Sequence, residues 1–379
     1  MLFAWLVTMV LHESPAMVGV AQMSMLVPAT LFMLVGGSLA DHFGGRRIAA
    51  IAQALAAVPP LLLALAVAAG ALRFGALVGY AIAMGLAQAF VTPARDSLLN
   101  DVAESRSIQR TVVRASFVQF GAQILGFLTA SYADRTGAVP VFALQIAALG
   151  IGALALSRVR VAHRSASDDA HWLRDMFGSV VEGARTVWAS REMRVVVVQN
   201  VAMGMCFMGS YIVTVPLLVR DVYAGTAADL GHMNAANSLG LLTTVLALMR
   251  IGDVRRRRRA LLVAQAVGAL ILASVGAGFG FPATLALIYV WGMCGGLAMS
   301  MARTIMQEDA PPGQAGRVMS FFSLSLLGAG PLGALASGVL VSWVGPELAL
   351  VAAAAAMLAV LAVVGLRIAS ARGAEPEVT

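Results

Sequence analysis

Apolar runs of twenty or more residues, separated by short polar strips, pattern this chain from end to end. They fall at roughly 16–40, 48–70, 72–94, 111–133 and 138–158, then at 193–219, 230–250, 260–281, 283–302, 316–343 and 345–368. A membrane helix needs about 20 apolar residues to cross about 30 Å of hydrocarbon, so the pattern predicts eleven full spans. The opening run, MLFAWLVTMVL, is also apolar but reaches His12 and Glu13 after eleven residues. As a helix it is about 16 Å long, half the hydrocarbon core. No basic segment precedes it and no small-residue cleavage site follows, so it does not read as a signal peptide. It reads as the outer half of a truncated first helix. A terminal ammonium near the midplane costs about 2.5–3.5 kcal/mol or more, so the expectation is that the natural chain begins some 20–40 residues upstream or that this copy is truncated.

Between the two sets of spans lies a polar stretch, 159–192. Within it, HWLRDMFGSVVEGARTVW places Leu173, Met176, Phe177, Val180, Val181, Ala184, Val187 and Trp188 on one helical face, with Arg174, Asp175, Glu182 and Arg185 off it. Such a face predicts an amphipathic helix that lies on the membrane surface, covers the bundle or docks a partner. The expected organisation is a first helical bundle over 1–158, a linker over 159–192, a second bundle over 193–368 and a short tail over 369–379.

Composition supports a lipid setting. Of 379 residues, 60% are hydrophobic and 12% charged, against about 25% charged in a soluble domain. Mean hydropathy is +0.85. The net charge of +7 does not indicate nucleic acid, because the basic residues lie in strips between apolar runs and not on one folded face. Cys206 and Cys294 both sit inside apolar runs and read as buried free thiols. The five histidines make no ligand spacing, and neither HExxH, GxSxG nor a phosphate-binding loop occurs. The sequence implies no metal, no cofactor and no enzyme.

All 26 basic residues are arginines, and they are unevenly placed. Alternate loops put 23 of them on one side, leaving Arg73, Arg135 and Arg220 on the other. The positive-inside rule makes the Arg-rich side cytoplasmic, with the linker and C-terminus on it. The expected location is a bacterial inner membrane.

The halves echo each other. Asp41 returns as Asp253, the pair Ala94-Arg95 as Ala302-Arg303, Asp101 as Asp309, and GAQILG (121–126) as GAGPLG (328–333). The offsets run from 212 to 207. Parallel halves of this kind build many secondary transporters, with substrate bound between them near the midplane.

The stretch GGSLADHFGGRR, 36–47, carries a resemblance. Gly37-x-x-x-Asp41-x-x-Gly44-x-Arg46 resembles the loop 2–3 pattern of the major facilitator superfamily, with His42 and Gly45 where basic residues are usual. PARDSLLNDV (93–102), EGARTVW (182–188), QEDAPPGQAGRVMS (307–320) and GPLGALASG (330–338) are similar to its multidrug and siderophore exporter branch, the enterobactin-exporter-like group. The resemblance implies an all-α polytopic fold of two pseudo-symmetric six-helix bundles. It also implies a gating network of Gly37, Asp41, Gly44, Arg46, Arg47, Arg95, Asp96 and Asp101, with Asp253, Arg303, Asp309 and Arg317 in the second half. Arg46 and Arg47 are expected to bond carboxylates at the inner end of helix four, Asp96 first and Asp101 next. Arg255 to Arg259 read more simply as a topology signal that touches lipid headgroups. The family's antiporters usually carry a Gly-Pro step in helix five; here it stands in helix eleven, at Gly330-Pro331.

Polar residues deep in the spans are the candidate substrate contacts: Gln22, Gln119, Gln123, Gln199, Asn200, Asn234, Asn237 and Trp291. Gln119 and Gln123, four apart, share a helix face. Arg114 lies nearer the Arg-rich end, where it either serves function or snorkels. For any single Gln or Asn, an interhelical hydrogen bond is the plain alternative. No carboxylate stands near the midplane, so proton coupling is implied by the resemblance alone. The expected function is a secondary transporter, acting as a monomer in the bilayer and exporting a drug- or siderophore-like amphipathic molecule by alternating access. An importer, or a non-transporting copy or sensor on the same fold, is the alternative.

Overall fold

A computed structural model describes residues 1–102, 108–159, 172–252, 254–311 and 314–372. The chain is an all-α polytopic membrane protein, and the described residues form no strand. A short α1, Leu2–Trp5, runs into a π-type turn at Leu6–Val10. Then come α2 (Pro15–Phe43), α3 (Gly45–Ala68), α4 (Phe74–Val102), α5 (Ile108–Ala130) and α6 (Ala138–Arg158). The linker forms α7, Trp172–Ala189. The second half contains α8 (Arg191–Asp221), α9 (Ala227–Ile251), α10 (Arg257–Gly276) and α11 (Phe281–Glu308). The last helical run, Ala315–Arg372, reverses at Gly345; its two arms are α12 (315–344) and α13 (346–372).

Eight of the described stretches are long and apolar enough to span a bilayer. One of them, Gly316–Leu366, is the reversed pair α12 and α13. Helix α9 falls outside this set because Asp229, His232, Asn234, Asn237 and Arg250 dilute its apolar length. In α5 the apolar segment is Phe117–Ala130.

Local signals set the boundaries. Gly44, at φ +89°, ends α2 and turns the chain directly into α3, and Gly345, at φ +80°, does the same between α12 and α13; both are left-handed positions that favour glycine. Thr226 and Asp229 form a reciprocal capping box at the start of α9, satisfying two otherwise orphaned amides. Ser190 caps α8 through the Met193 amide.

The repeat seen in the sequence is a repeat of helix starts. α2 and α3 begin at Pro15 and Gly45, and α9 and α10 begin 212 residues later at Ala227 and Arg257. α4 begins at Phe74, and α11 begins 207 later at Phe281. The step from 212 to 207 falls within the third helix of each half and the turn that follows it. α3 has 24 residues and α10 has 20, and α3 is irregular at Ala56-Ala57. Contacts follow the same register. A methyl on Gly85 of α4 would fall 2.1 Å from the Met25 carbonyl oxygen of α2, and one on Gly292 of α11 would fall 2.3 Å from the Asn237 carbonyl oxygen of α9.

Lipid supplies no hydrophobic drive between helices, so close packing of small residues must hold them. The two halves meet through α2 with α12 and α5 with α9. Gly338 of α12 sits where a methyl would be 2.6 Å from the Pro15 carbonyl oxygen. Gly231 of α9 sits where one would be 3.0 Å from the Phe127 carbonyl oxygen.

The halves differ at their first helix. α8 runs 31 residues and packs along α12. Its counterpart, residues 2–10, is short, although Leu2 to Val7 are all buried. α5 is largely bare. Phe117, Val118, Ala122, Gln123 and Leu125 are exposed, whereas Ala329 and Ala334, 207 residues beyond Ala122 and Phe127, are buried.

The linker helix covers the second bundle. Among the described side chains its buried strip is Gly183 and Val187, while Val181 and Trp188 of the predicted face are exposed; the side chains of Leu173, Met176 and Phe177 lie outside the described residues. Glu182 pairs with Arg317 of α12 at 2.5 Å, and Thr186 donates to Gln314 at 2.6 Å. Trp188 packs edge-on against Phe321, at 6.2 Å between ring centres.

Candidate substrate pathway between the halves

Hydrogen bonds close the Arg-poor end across the two halves. Asp134, in the turn after α5, accepts from the Trp5 indole Nε1 at 2.9 Å. Its second oxygen accepts the backbone amide of Ala227, at the start of α9. Arg220, in the last turn of α8, donates to the carbonyl oxygens of Glu13 at 2.8 Å and Thr8 at 3.3 Å and pairs with Asp221. Deeper in, Thr30 of α2 donates to the Leu327 carbonyl of α12 at 3.1 Å. Asp134 and Arg220 are not among the sequence candidates. The available signal is that each belongs to an adjacent acid–arginine pair on the side with few arginines.

Below this closure, the second half packs aromatic rings and amides together, with Phe207 and Trp291 buried and Tyr211 half-buried. α8 carries two π-type turns, Gly204–Met208 and Ser210–Thr214, a distortion that recurs at functional sites. They bring Phe207 and Tyr211 against Trp291 of α11, at 5.7 and 6.0 Å between ring centres. The Tyr211 hydroxyl donates to Asn234 Oδ1 at 2.7 Å, and Asn234 Nδ2 donates to the Leu230 carbonyl at 2.7 Å. Asn237 lies three residues further along α9, its carbonyl against Gly292. Among the described residues its side-chain amide, half-buried, has no hydrogen-bond partner. The structure thus brings together Trp291, Asn234 and Asn237 from the sequence candidates and adds Phe207 and Tyr211. These two escape a sequence reading because aromatic residues in an apolar run are ordinary packing.

The other candidates are dispersed. Asn200 is buried and committed to α12, donating to Ser325 Oγ at 2.8 Å and the Phe322 carbonyl at 3.1 Å. Gln199 is buried, and its Nε2 finds no partner, as do Ser210 Oγ, Ser238 Oγ and Gln265 Oε1. Each such atom costs about 1–3 kcal/mol, a penalty concentrated on α8, α9 and α10. Gln22 is buried in α2. Gln119 and Gln123 lie on the bare α5. Arg114 lies in α5 too, but its side chain is outside the described residues.

At the Arg-rich end, Arg46 does not reach Asp96. It donates to the Val159 carbonyl at the end of α6, at 3.1 Å. Asp96 is instead exposed beside its neighbour Arg95, at 3.5 Å. A helix-end carbonyl carries partial negative charge and is a natural acceptor for arginine. Arg47 and Arg303 are exposed. The close approach of α2 to α4 is made by Gly36, where a methyl would be 2.1 Å from the Ala89 carbonyl oxygen; Gly37 has ordinary room, with Pro93 Cβ at 3.7 Å. In the second half, Arg257 pairs with Glu308, and Arg258 with Asp309 at 3.1 Å and Glu192 at 3.7 Å. These arginines therefore tie α8, α10 and α11 together. Gly330 makes room for Met208, whose sulfur would be 3.0 Å from a methyl there, and Pro331 follows it inside α12. The side chains of Asp41 and Asp101, and Asp253 altogether, lie outside the described residues.

Three comparisons bear on what this architecture is. The sequence is 26% identical over 356 residues to the multidrug efflux pump Tap of Mycolicibacterium fortuitum, an alignment covering 89% of this chain and 83% of that protein. The fold is similar to the crystal structure of the POT family transporter PepTSo, with TM-score 0.73 and 14% identity over 94% of this chain and 90% of that one. It is also similar to the nucleoside transporter NupG, in a point-mutant form, with TM-score 0.69 and 14% identity over 96% of this chain and 95% of that one. The family model described as Major Facilitator Superfamily matches residues 1–333 and 201–378. With that match spanning both halves and the repeat of helix starts and contacts built into them, the chain belongs to the Major Facilitator Superfamily of membrane transporters.

Proposed function

We propose that this transporter exports an amphipathic, drug- or siderophore-like small molecule across a bacterial inner membrane by alternating access. The observation that carries the reading is the pairing of a closed Arg-poor end with a ring-and-amide wall beneath it. The ring cluster offers apolar area through Tyr211, half-buried in front of the buried Phe207 and Trp291, and Asn237 offers an amide that both donates and accepts. A wall without formal charge suits a molecule that is largely apolar. The arginine distribution supports a cytoplasmic Arg-rich end. The pathway closed at the opposite end is then the state in which an exporter loads, and the similarity to the pump Tap agrees with that direction. One chain holds both halves, so a monomer suffices.

The test is efflux of a preloaded dye and siderophore panel from a bacterium lacking its main exporters, with and without a protonophore. Cells making the protein should lose a panel member faster than cells making the Trp291→Ala variant at equal membrane abundance. Protonophore-sensitive loss assigns proton coupling; insensitive loss assigns another driving force. Faster uptake in place of loss would replace export with import, and no flux of any panel member would count against the reading.

A further inference from the structure

The run Val254 to Arg259 joins α9 to α10 at the Arg-rich end, and its five consecutive arginines are not all used by the fold. Arg257 and Arg258 are held by Glu308, Asp309 and Glu192. Arg255, Arg256 and Arg259 are exposed, and none has a hydrogen bond or ion pair with another described residue. Among the described residues, five positive charges thus face three negative ones. The arginines and the ends of Glu308 and Asp309 surround a recess of about 310 Å³, with Ile305 in its wall. On the bilayer side the surface changes from charged to apolar within two helical turns. Met249 and Ile251 at the end of α9 are 46% and 70% exposed, and Val263 on α10 is 59% exposed.

We propose that this recess binds the headgroup of an anionic phospholipid, with the phosphodiester among Arg255, Arg256 and Arg259 and the acyl chains along Met249, Ile251 and Val263. Charge complementarity selects the class of ligand. Three unpaired guanidinium groups match a phosphate bearing net negative charge, since arginine bonds phosphate oxygens through its planar fork. A zwitterionic choline headgroup brings its own cation into a recess already carrying excess positive charge. The exposed apolar strip beside the recess favours a lipid over a free anion. Basic pockets between membrane helices are a known setting for such headgroups.

The experiment uses the purified full chain in detergent, with native mass spectrometry reading bound lipid and thermal unfolding read in parallel. Phosphatidylglycerol should be retained at least tenfold more tightly than phosphatidylcholine and should raise the unfolding midpoint. The triple variant R255Q/R256Q/R259Q leaves the pairs of Arg257 and Arg258 intact and should lose that preference. R255K/R256K/R259K should keep part of it and guards against misfolding of the glutamine variant. On the wild type alone, raising salt from about 50 to about 500 mM should weaken phosphatidylglycerol retention through screening and leave phosphatidylcholine unchanged. Equal retention of the two lipids, or full retention by the glutamine variant, would overturn the site and leave the run as a topology signal. Displacement of phosphatidylglycerol by millimolar inorganic phosphate would overturn the lipid assignment in favour of a free-anion site.

Discussion

The indole Nε1 of Trp5 donates to Oδ1 of Asp134 at 2.9 Å, and the other oxygen of the same carboxylate takes the Ala227 amide from the opposite half. One side chain thus fastens α1, the turn after α5 and the start of α9 in a single place. Hydrogen bonds to a charged group contribute about 1.5–3 kcal/mol each, and a shift of that size changes a two-state population by about tenfold or more.

Asp134→Ala should therefore loosen the Arg-poor end. Ser131 lies against Gly231 across the same seam. A Ser131→Cys thiol should react slowly with a membrane-impermeant maleimide reaching that end, and about tenfold faster when Asp134→Ala is added. Trp5→Phe removes one bond and should fall between. Equal labelling rates in all three would mean that the seam is held by the glycine packing of α2 and α5 and not by this carboxylate.

Gly292 ties stability to the site. Its missing side chain lets α11 lie on the Asn237 carbonyl, which sets both Asn237 and the adjoining Trp291. Gly292→Ala should cost about 1–3 kcal/mol through overpacking against backbone and lower the thermal midpoint in detergent. Gly295→Ala, three residues on, has nothing within 4 Å to meet and should be neutral or gain up to about 1 kcal/mol of helix propensity. If the two variants melt alike, the close approach of α9 and α11 is slack and not a constraint.

Most of the helical framework was legible because each span is a long apolar run, and because Gly44, Gly345 and the Thr226–Asp229 box write their turns into the sequence. The repeat was legible too, with its drift from 212 to 207, but coordinates were needed to place that drift at the irregular Ala56-Ala57 step, which the pair Pro59-Pro60 follows. The site was legible in part. Trp291 and Asn237 stand out as polar or aromatic within apolar helices, whereas Phe207 and Tyr211 look like packing until the π-type turns of α8 aim them at Trp291. Arg46 illustrates the limit most plainly. Its acceptor is the carbonyl of Val159, and a backbone acceptor has no residue type, so a reading by side chains turns to Asp96.

The bare face of α5 makes the last prediction. Ala122 is exposed, while Ala329, its equivalent 207 residues later, is 6% exposed beneath α8. The glycines of the two motifs differ in the same way. A methyl on Gly333 would fall 2.5 Å from the Met205 carbonyl oxygen of α8, and one on Gly126 would meet nothing within 4 Å. The same small-residue motif is thus packed in one half and open in the other. With Cys206 and Cys294 replaced by serine, Ala122→Cys should react with N-ethylmaleimide at least tenfold faster than Ala329→Cys, because thiolate chemistry needs water at the sulfur. Substrate should slow the first reaction if α5, with Gln119 and Gln123 on it, lines the pathway. Equal protection of both thiols would mean that the face of α5 is covered in the membrane, and would move the pathway onto α8, α9 and α11 alone.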